Sequence, residues 1–520
     1  MSNYLVVYDI TGIQSYIFKT RKVKEISGAS LIIRNFLNDV IKEEAAGKID
    51  NNWAKAKYDY GNTKADFLNH LNQSGLSVEY AFEGGGNLFI FFHGSENELK
   101  EFNNKIQLRF LTETGGLMLS FSYVEIKEDD NNLFDDYRKE VLNKLKDVKT
   151  RMPRNNDIAI NPIMKLDSVY GSPIIAKSKE DIKKVSNGSE EVSYDSYFKL
   201  KYLSDKGNDF DFINVKEIDK LLDPDNSNKN LIAVIHIDGN DLGSMINNYI
   251  SSVKVNNFVD SLKVSREIST KIDYVFKEKV MNSDKVKGKI KMILNSGDDI
   301  TFICNAFDAL DIVEEIIKLI SSESLYPEVI SCATKELLKA ENQFSACAGI
   351  CYCHPHFPFH RAYEIAEELC SNAKAKSKAN RISTRLNSIG RPTSWFDFEI
   401  VQSGILKGVN EIRSKNSNLY LRPYSFDKIN SNDYLNTYDS FINNLKLFKN
   451  VDDKDIARSN AKEIRNKYEL SEIDTKILFK KLKSRASDKS SIDYDNPYTS
   501  DGKAKYYDAV SLFDLYKVGE

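Results

Sequence analysis

Residues 290–304 read Ile-Lys-Met-Ile-Leu-Asn-Ser-Gly-Asp-Asp-Ile-Thr-Phe-Ile-Cys, and the rest of the chain is organised around this stretch. Two apolar runs flank the turn Ser296-Gly297-Asp298-Asp299. Short apolar runs with β-branched members on both sides of a glycine-containing turn are typical of a β-hairpin. Two adjacent carboxylates at the tip repel each other, and a bound cation would offset that repulsion. The alternative is a solvated turn, because turns favour aspartate in general.

A third carboxylate, Asp238, directly follows the apolar run 231–237, which is typical of a buried strand. Residues 242–280 then carry a helical pattern that leads to the hairpin. A carboxylate at the end of a buried strand can meet carboxylates of a following hairpin at one edge of a sheet. Asp238, Asp298 and Asp299 are therefore candidate catalytic residues and ligands of two Mg²⁺ (or Mn²⁺) ions. Such ions prefer oxygen ligands and can clamp nucleotide phosphates for in-line displacement.

The order strand, helix, hairpin, helix, strand occurs twice in the chain. Aligning the apolar runs sets Asp9 against Asp238, and the turn Gly84-Gly85-Gly86-Asn87 against the turn at 296–299. The first copy lacks both hairpin carboxylates, so we expect no pair of metal ions there. Its glycines would let backbone N–H groups approach a phosphate. A tight glycine turn without a ligand is the alternative.

These motifs resemble the palm domains of nucleotide cyclases and polymerases, in which the hairpin often reads Gly-Gly-Asp-Asp or Gly-Gly-Asp-Glu. More narrowly, they are similar to the large, polymerase-like subunit of type III CRISPR effector complexes. In the first copy the resemblance rests on Asp9-Ile-Thr-Gly-Ile-Gln-Ser-Tyr-Ile-Phe18, Ile26-Ser-Gly-Ala-Ser30 and Glu83-Gly-Gly-Gly-Asn87. It covers residues 1 to about 130 and about 229 to 400.

The repeat and the resemblance together predict an α+β fold with two ferredoxin-like palm domains. We expect a first, degenerate palm at 1–130, a helical and polar connector at 131–228, a second, catalytic palm at 229–400 and a helical domain at 401–520. In this family the connector often carries a zinc bound by cysteines. Residues 131–228 contain no cysteine, so we expect no zinc there.

A helical pattern after the last palm strand places Ala362, Ile365, Ala366, Leu369 and Ala373 on one apolar face. Lysines follow near its C-terminal end, among them Lys374 and Lys378. The resemblance implies that a lysine here lies near nucleotide phosphates. A solvated helix end, where lysines interact favourably with the helix macrodipole, is the alternative.

The resemblance implies a Mg²⁺-dependent nucleotidyltransferase that makes a cyclic or linear oligonucleotide messenger from ATP or a related NTP in antiviral defence. The first-palm turn 84–87 would bind substrate, together with Ser296 and Gly297 of the second. CRISPR RNA and other effector subunits are the implied partners. The alternative is a catalytically weak scaffold or a nucleotide sensor within an RNA-guided complex, which the serine at 296 in place of the usual glycine supports.

Composition and short motifs argue against several other classes of protein. The formal net charge of −3 argues against strong sequence-independent binding of nucleic acid by the isolated chain. No apolar run approaches the length of a membrane span, and the six cysteines fall mostly in apolar patterns typical of a reduced, cytoplasmic protein.

The run Cys351-Tyr-Cys-His-Pro-His356 has no second cluster that would complete a zinc site, so a core strand is the favoured interpretation. No His-Asp dipeptide occurs, so we expect no HD-type nuclease activity.

Overall fold

The structure is a computed structural model that describes residues 1–20, 22–45, 61–73, 78–84, 87–152, 163–167, 171–175, 177, 179–186, 191–206, 231–253, 255–326, 339, 341–383, 390–401, 408–427, 436–449, 458–486 and 492–517. The predictions made for Gly85 and Gly86, and for the side chain of Ser296, lie outside this description.

The described strands, in chain order, are β1 (Ser2–Thr11), β2 (Val78–Gly84), β3 (Asn87–Gly94), β4 (Met118–Ile126), β5 (Ile232–Gly239), β6 (Ile290–Ser296), β7 (Asp299–Asn305), β8 (Ala346–Cys353), β9 (Trp395–Ile400) and β10 (Tyr424–Ser425).

The described α-helices are α1 (Ile13–Phe18), α2 (Val23–Leu31), α3 (Leu37–Glu44), α4 (Lys64–Gln73), α5 (Glu96–Glu113), α6 (Phe134–Arg151), α7 (Lys179–Ser186), α8 (Tyr194–Lys206), α9 (Leu242–Val253), α10 (Phe258–Asp273), α11 (Lys279–Met281), α12 (Ala309–Ser321), α13 (Phe359–Ala379), α14 (Val409–Ser414), α15 (Tyr438–Lys449), α16 (Arg458–Leu470), α17 (Glu472–Lys483) and α18 (Tyr507–Leu512). Two π-helical turns, Ile32–Phe36 and Tyr274–Glu278, continue α2 and α10.

Two sheets confirm the predicted α+β class. The first has the strand order β2-β3-β1-β4, and the second has the order β10-β9-β8-β5-β7-β6. The four strands β6-β7-β5-β8 repeat the order of the first sheet, as the internal repeat predicts. Strand β9 then extends the second sheet by pairing parallel to β8.

Strand register brings the aligned turns to equivalent places. In the first sheet Asp9 of β1 lies opposite Asn87 of β3 and Ser120 of β4. In the second sheet Ile237 of β5 lies opposite Ile300 of β7, and Asp238 lies opposite Cys347 of β8.

The helical pattern predicted over 242–280 is interrupted between α9 and α10. Asn257 ends the interruption, because its side-chain oxygen accepts a hydrogen bond from the Asp260 amide at 2.8 Å and caps α10. Ser95 caps α5 through a capping box with Glu98. Local hydrogen bonds of single side chains thus fix where these helices begin.

The chain divides into two compact units, and the division does not follow the chain order. Unit 1 comprises Met1–Val215, Ile246–Tyr274 and Ile293–Asp298, and unit 2 comprises Lys216–Met245, Val275–Met292 and Asp299–Glu520. Helix α10 therefore belongs to the first unit, although it follows β5 in the chain. Within the described ranges, none of the helices combines the length and apolar character that a bilayer crossing needs.

Candidate active site

Two aspartates meet where β5 ends and β7 begins. The register pairs Ile237 with Ile300, so the next pair along the antiparallel ladder is Asp238 and Asp299. One oxygen of each carboxylate and one ring nitrogen of His236 lie within 4.8 Å of one another. The Asp238 side chain is 26% exposed, so the carboxylates lie at the rim of the sheet rather than in the core.

Asp298 stands one residue away from this group, in the two-residue turn between β6 and β7. Gly297 begins the turn with a φ of 65°, a left-handed conformation that glycine adopts without steric cost. Among the described residues, the side chains that could bind one metal ion together are Asp238, Asp299 and His236. Two members of the predicted trio are therefore in this group, and His236 takes the third place.

His236 is the member that sequence reasoning missed. It is 3% exposed, and its Nδ1 lies 2.9 Å from the Thr301 hydroxyl oxygen on the paired strand β7. Burial lowers the pKa of His236 to about 4, while the nearby Asp238 acts to raise it. The imidazole is therefore neutral near pH 7 and adds no positive charge to the two carboxylates.

Lys374 supplies the positive charge that faces Asp238. The predicted apolar face of α13 is confirmed, since Ala362, Ile365, Ala366, Leu369 and Ala373 are all buried. Near the end of this helix the Lys374 ammonium donates to Asp238 Oδ2 and forms an ion pair with it. Lys378, one turn further on, is exposed.

A glycine lets α13 approach the sheet closely. Gly349 lies opposite His236 on β8. A Cβ placed at Gly349 would lie 1.9 Å from the Ala366 carbonyl oxygen and 2.5 Å from the Cys370 amide nitrogen. Both distances are far below van der Waals contact, so any side chain would push α13, and with it Lys374, away from the aspartates.

The segment after Asp238 is held by polar contacts. The Asn240 side chain is buried and donates to Ser345 Oγ at 3.2 Å and to the Thr393 carbonyl at 3.1 Å. Asp241 has a φ of 50°, which is uncommon outside glycine, and it forms an ion pair with Arg381. These contacts fix the backbone direction immediately beyond the catalytic candidate.

The first palm carries a related but incomplete arrangement. Asp9 is opposite Asn87, and the Lys149 ammonium of α6 lies 2.6 Å from Asp9 Oδ2. Burial raises the pKa of the Asp9 carboxyl, and the hydrogen bond and charge of Lys149 act in the opposite direction. The structure thus keeps the lysine–aspartate pair in both copies and places an amide where the second copy has a carboxylate.

The cysteine–histidine run at 351–356 forms no metal site in the part of the chain that the structure describes. Cys351 and Cys353 are buried, unpaired residues of β8, and His354 and His356 follow the end of that strand. The interpretation of this run as a core strand is confirmed, since β8 is buried along its length.

Residues 231–383 match the family model of the second palm domain of Cas10/Cmr2. The match includes Asp238, Asp298, Asp299 and Lys374, and it confirms the resemblance that the motifs predict. Among curated proteins, no sequence match was found.

Solved structures show the same fold over nearly the whole chain. Csm1 of T.onnurineus is 15% identical with a TM-score of 0.52, and the match covers 99% of this chain and 70% of that one. A Csm1–Csm4 cassette in complex with AMPPNP is 13% identical with a TM-score of 0.52, covering 99% and 69%. A Csm1–Csm4 cassette in complex with cA3 is 13% identical with a TM-score of 0.51, covering 99% and 69%. At such identities the similarity shows the fold.

Proposed function

We propose that this protein is a nucleotidyltransferase that makes a cyclic or linear oligonucleotide from ATP or a related NTP, in CRISPR-type antiviral defence. The observation that carries the proposal is the meeting of Asp238 and Asp299 at adjoining strand ends, within the stretch that matches the Cas10/Cmr2 palm. Carboxylates paired in this way are suited to metal-assisted displacement at phosphorus.

The donor set at this edge fits Mg²⁺ or Mn²⁺. Asp238 and Asp299 direct carboxylate oxygens into a common space, and these ions prefer oxygen ligands. Because these ions prefer oxygen to nitrogen ligands, we assign the ligand role to the carboxylates, with Asp298 contributing from the adjacent turn. When bound, the ions would activate a ribose hydroxyl for attack on an α-phosphorus and stabilise the departing pyrophosphate.

Two lysines of α13 have roles in this proposal. Lys374 orients Asp238 through their ion pair, and its charge is available to phosphate oxygens when a nucleotide binds. Lys378 is exposed on the same helix and is assigned to the phosphates as well. Asn240 and Asp241 hold the backbone that carries Asp238, which limits how far the carboxylate can move.

The first palm is assigned to substrate binding rather than to chemistry. With Asn87 opposite Asp9, and Lys149 already paired with Asp9, the group has no excess negative charge to attract a divalent cation. Gly84, Gly85, Gly86 and Asn87 are proposed to hold the acceptor nucleotide, and Ser296 and Gly297 the donor.

ATP is the proposed substrate because the solved relatives include Csm1–Csm4 cassettes in complex with AMPPNP and with cA3. By the same reasoning we propose another effector subunit and CRISPR RNA as partners, a cytoplasmic location and no HD-type nuclease activity. The domain boundaries 1–130, 131–228, 229–400 and 401–520 are retained as part of this proposal.

A nucleotide sensor or scaffold is the second candidate. The ion pair between Lys374 and Asp238 favours it, because that lysine neutralises one of the two carboxylates that a metal would need. Incubation of the purified protein with Mg²⁺ and each radiolabelled NTP separates the two candidates. Release of pyrophosphate with formation of an oligonucleotide supports the enzyme, and tight nucleotide binding without turnover contradicts it and supports the sensor.

A further inference from the structure

Strand β2 is the edge of the first sheet and leads directly into the turn at 84–87. An edge strand presents backbone groups that the sheet does not pair. The register between β2 and β3 also shifts between Tyr80 and Phe82, which marks a β-bulge at Ala81. The strand that carries the proposed nucleotide-binding turn is therefore irregular, and the sheet pairs it on one side.

Helix α10 supplies hydrogen bonds to that strand from outside the sheet. Arg266 Nε donates to the Ala81 carbonyl at 2.6 Å, and its Nη2 donates to the Tyr80 carbonyl at 2.9 Å. One turn along the helix, the Ser269 hydroxyl donates to the carbonyl of Glu83, the residue before Gly84. The guanidinium thus bridges the bulge, and the serine fixes the last carbonyl before the turn.

The buried carboxylate of Glu79 lies close to the guanidinium of Arg266. The Glu79 side chain is 1% exposed and lies 3.9 Å from Arg266 Nη2, and its other oxygen lies 3.3 Å from His70 Nε2. A buried carboxylate needs a nearby positive charge. Arg266 is therefore held from two directions, by the bulged backbone and by Glu79.

The start of α10 is anchored independently of these contacts. Phe258, Val259 and Leu262 lie in the same apolar core as Phe89 and Phe134 of the first unit. Ser261 Oγ also accepts a hydrogen bond from the Asp135 amide at 3.0 Å. Because this packing holds the helix, Arg266 and Ser269 can act on β2 without being needed to dock α10.

We propose that Arg266 and Ser269 are positioning residues that hold strand β2, as far as Glu83, in the conformation from which the chain enters the proposed nucleotide-binding turn. The inference rests on the proposed function for the identity of the ligand. It deepens that function because α10 lies between β5 and β6 in the chain, so a helix of the catalytic copy holds the strand that leads to the binding turn of the other copy.

The test compares Arg266→Ala, Arg266→Lys and Ser269→Ala with a matched control, Lys263→Ala. Lys263 lies on the same helix, is half-exposed and forms a long ion pair of 3.9 Å with Asp260. ATP binding is measured by calorimetry, turnover by pyrophosphate release, and turn mobility by hydrogen exchange over residues 83–88. Circular dichroism confirms that each variant is folded.

We expect Arg266→Ala to weaken ATP binding and raise KM about tenfold, the size of one charge-assisted hydrogen bond, with kcat changed less than about twofold. Ser269→Ala should produce a smaller rise, and Lys263→Ala should match the wild type. Arg266→Lys should restore only part of the affinity, because an ammonium lacks the planar fork that reaches two carbonyls. Amide hydrogen exchange over residues 83–88 should become faster in the same order as the losses of ATP affinity.

Unchanged exchange and unchanged ATP affinity in folded Arg266→Ala and Ser269→Ala would overturn the inference. Equal losses of kcat and kcat/KM at constant affinity would overturn it as well, since they would place the effect in the chemical step. If the wild type binds ATP without turnover and the variants still lose affinity, the positioning role stands and the proposed enzyme activity fails.

Discussion

The two palms share a strand order, an aspartate at the end of the central strand and a lysine that pairs with it, yet the first palm lacks both hairpin carboxylates and has Asn87 where the second has Asp299. In the second palm Asp238, Asp299 and Lys374 give a formal charge of −2 + 1 = −1 before any ion binds. In the first palm Asp9 and Lys149 cancel, and Asn87 adds no charge. The same fold can therefore attract a divalent cation in one copy and offer a neutral surface in the other.

The two palms also differ in the residue on which a helix packs, at equivalent positions of β4 and β8. Ser122 of β4 lies opposite Val7, two residues before Asp9, and donates to the Val141 carbonyl of α6 at 2.7 Å. Gly349 occupies the matching place opposite His236, where α13 leaves no room for a side chain. The second palm thus holds its lysine-bearing helix closer to the sheet, and that helix lies over the carboxylate group.

The largest expected difference between the copies is in metal affinity. Asp299→Asn makes the second palm resemble the first, and it should weaken Mn²⁺ binding at least about 100-fold, because even residues that only support a ligand change affinity 10–100-fold. Electron paramagnetic resonance titration of free Mn²⁺ measures this directly. Asn87→Ala, at the matched position, should leave the titration unchanged, and equal weakening by both variants would contradict the assignment.

A smaller difference is expected between the two lysines. Lys374→Met should lower kcat/KM about tenfold, since a hydrogen bond to a charged group contributes about 1.5–3 kcal/mol. Lys149→Met should act on KM with little change in kcat, because its palm is assigned to binding. Steady-state kinetics with ATP checks both, with Lys376→Met, an exposed neighbour on α13, as the control. A kcat loss in Lys149→Met equal to that in Lys374→Met would remove the distinction between the palms.

The smallest expected difference is in stability. Gly349→Ala should lower the free energy of unfolding by about 3 kcal/mol, the upper end of the usual range for overpacking a core, because the added Cβ would meet backbone atoms of α13. Ser122→Ala removes one hydrogen bond from the first palm and should cost about 1 kcal/mol. Urea unfolding followed by circular dichroism measures both. Equal losses of stability in the two variants would contradict the claim that α13 packs more closely on its sheet than α6 does.

Much of this comparison could be predicted from the sequence, because apolar runs and turn chemistry are local signals. The alignment of Asp9 with Asp238, and of Asn87 with Asp299, follows from run length alone, and the strand registers place these residues at matching positions. His236 could also have been found. Residues two apart on a strand share a face, so it lies on the same side as Asp238.

Other features depend on contacts between distant parts of the chain. The partner of Lys374 is 136 residues away, and no local pattern shows that its ammonium meets Asp238 rather than solvent. The choice between two adjacent aspartates at the turn depends on register, which decides that Asp299 and not Asp298 continues the ladder beside Asp238. The docking of α10 in the first unit is likewise set by tertiary packing.

The most direct test of the account is pyrophosphate release from ATP in Mg²⁺ by the wild type and by the matched variants Asp299→Asn and Asn87→Ala. We predict turnover by the wild type that EDTA abolishes and a loss of at least about 100-fold in kcat for Asp299→Asn, comparable to removing one electrostatic stabiliser of a transition state. For Asn87→Ala we predict a raised KM with kcat changed less than about threefold. Near-normal kcat in folded Asp299→Asn, or a kcat loss in Asn87→Ala as large as that in Asp299→Asn, would contradict the claim that the second palm alone carries the catalytic carboxylates.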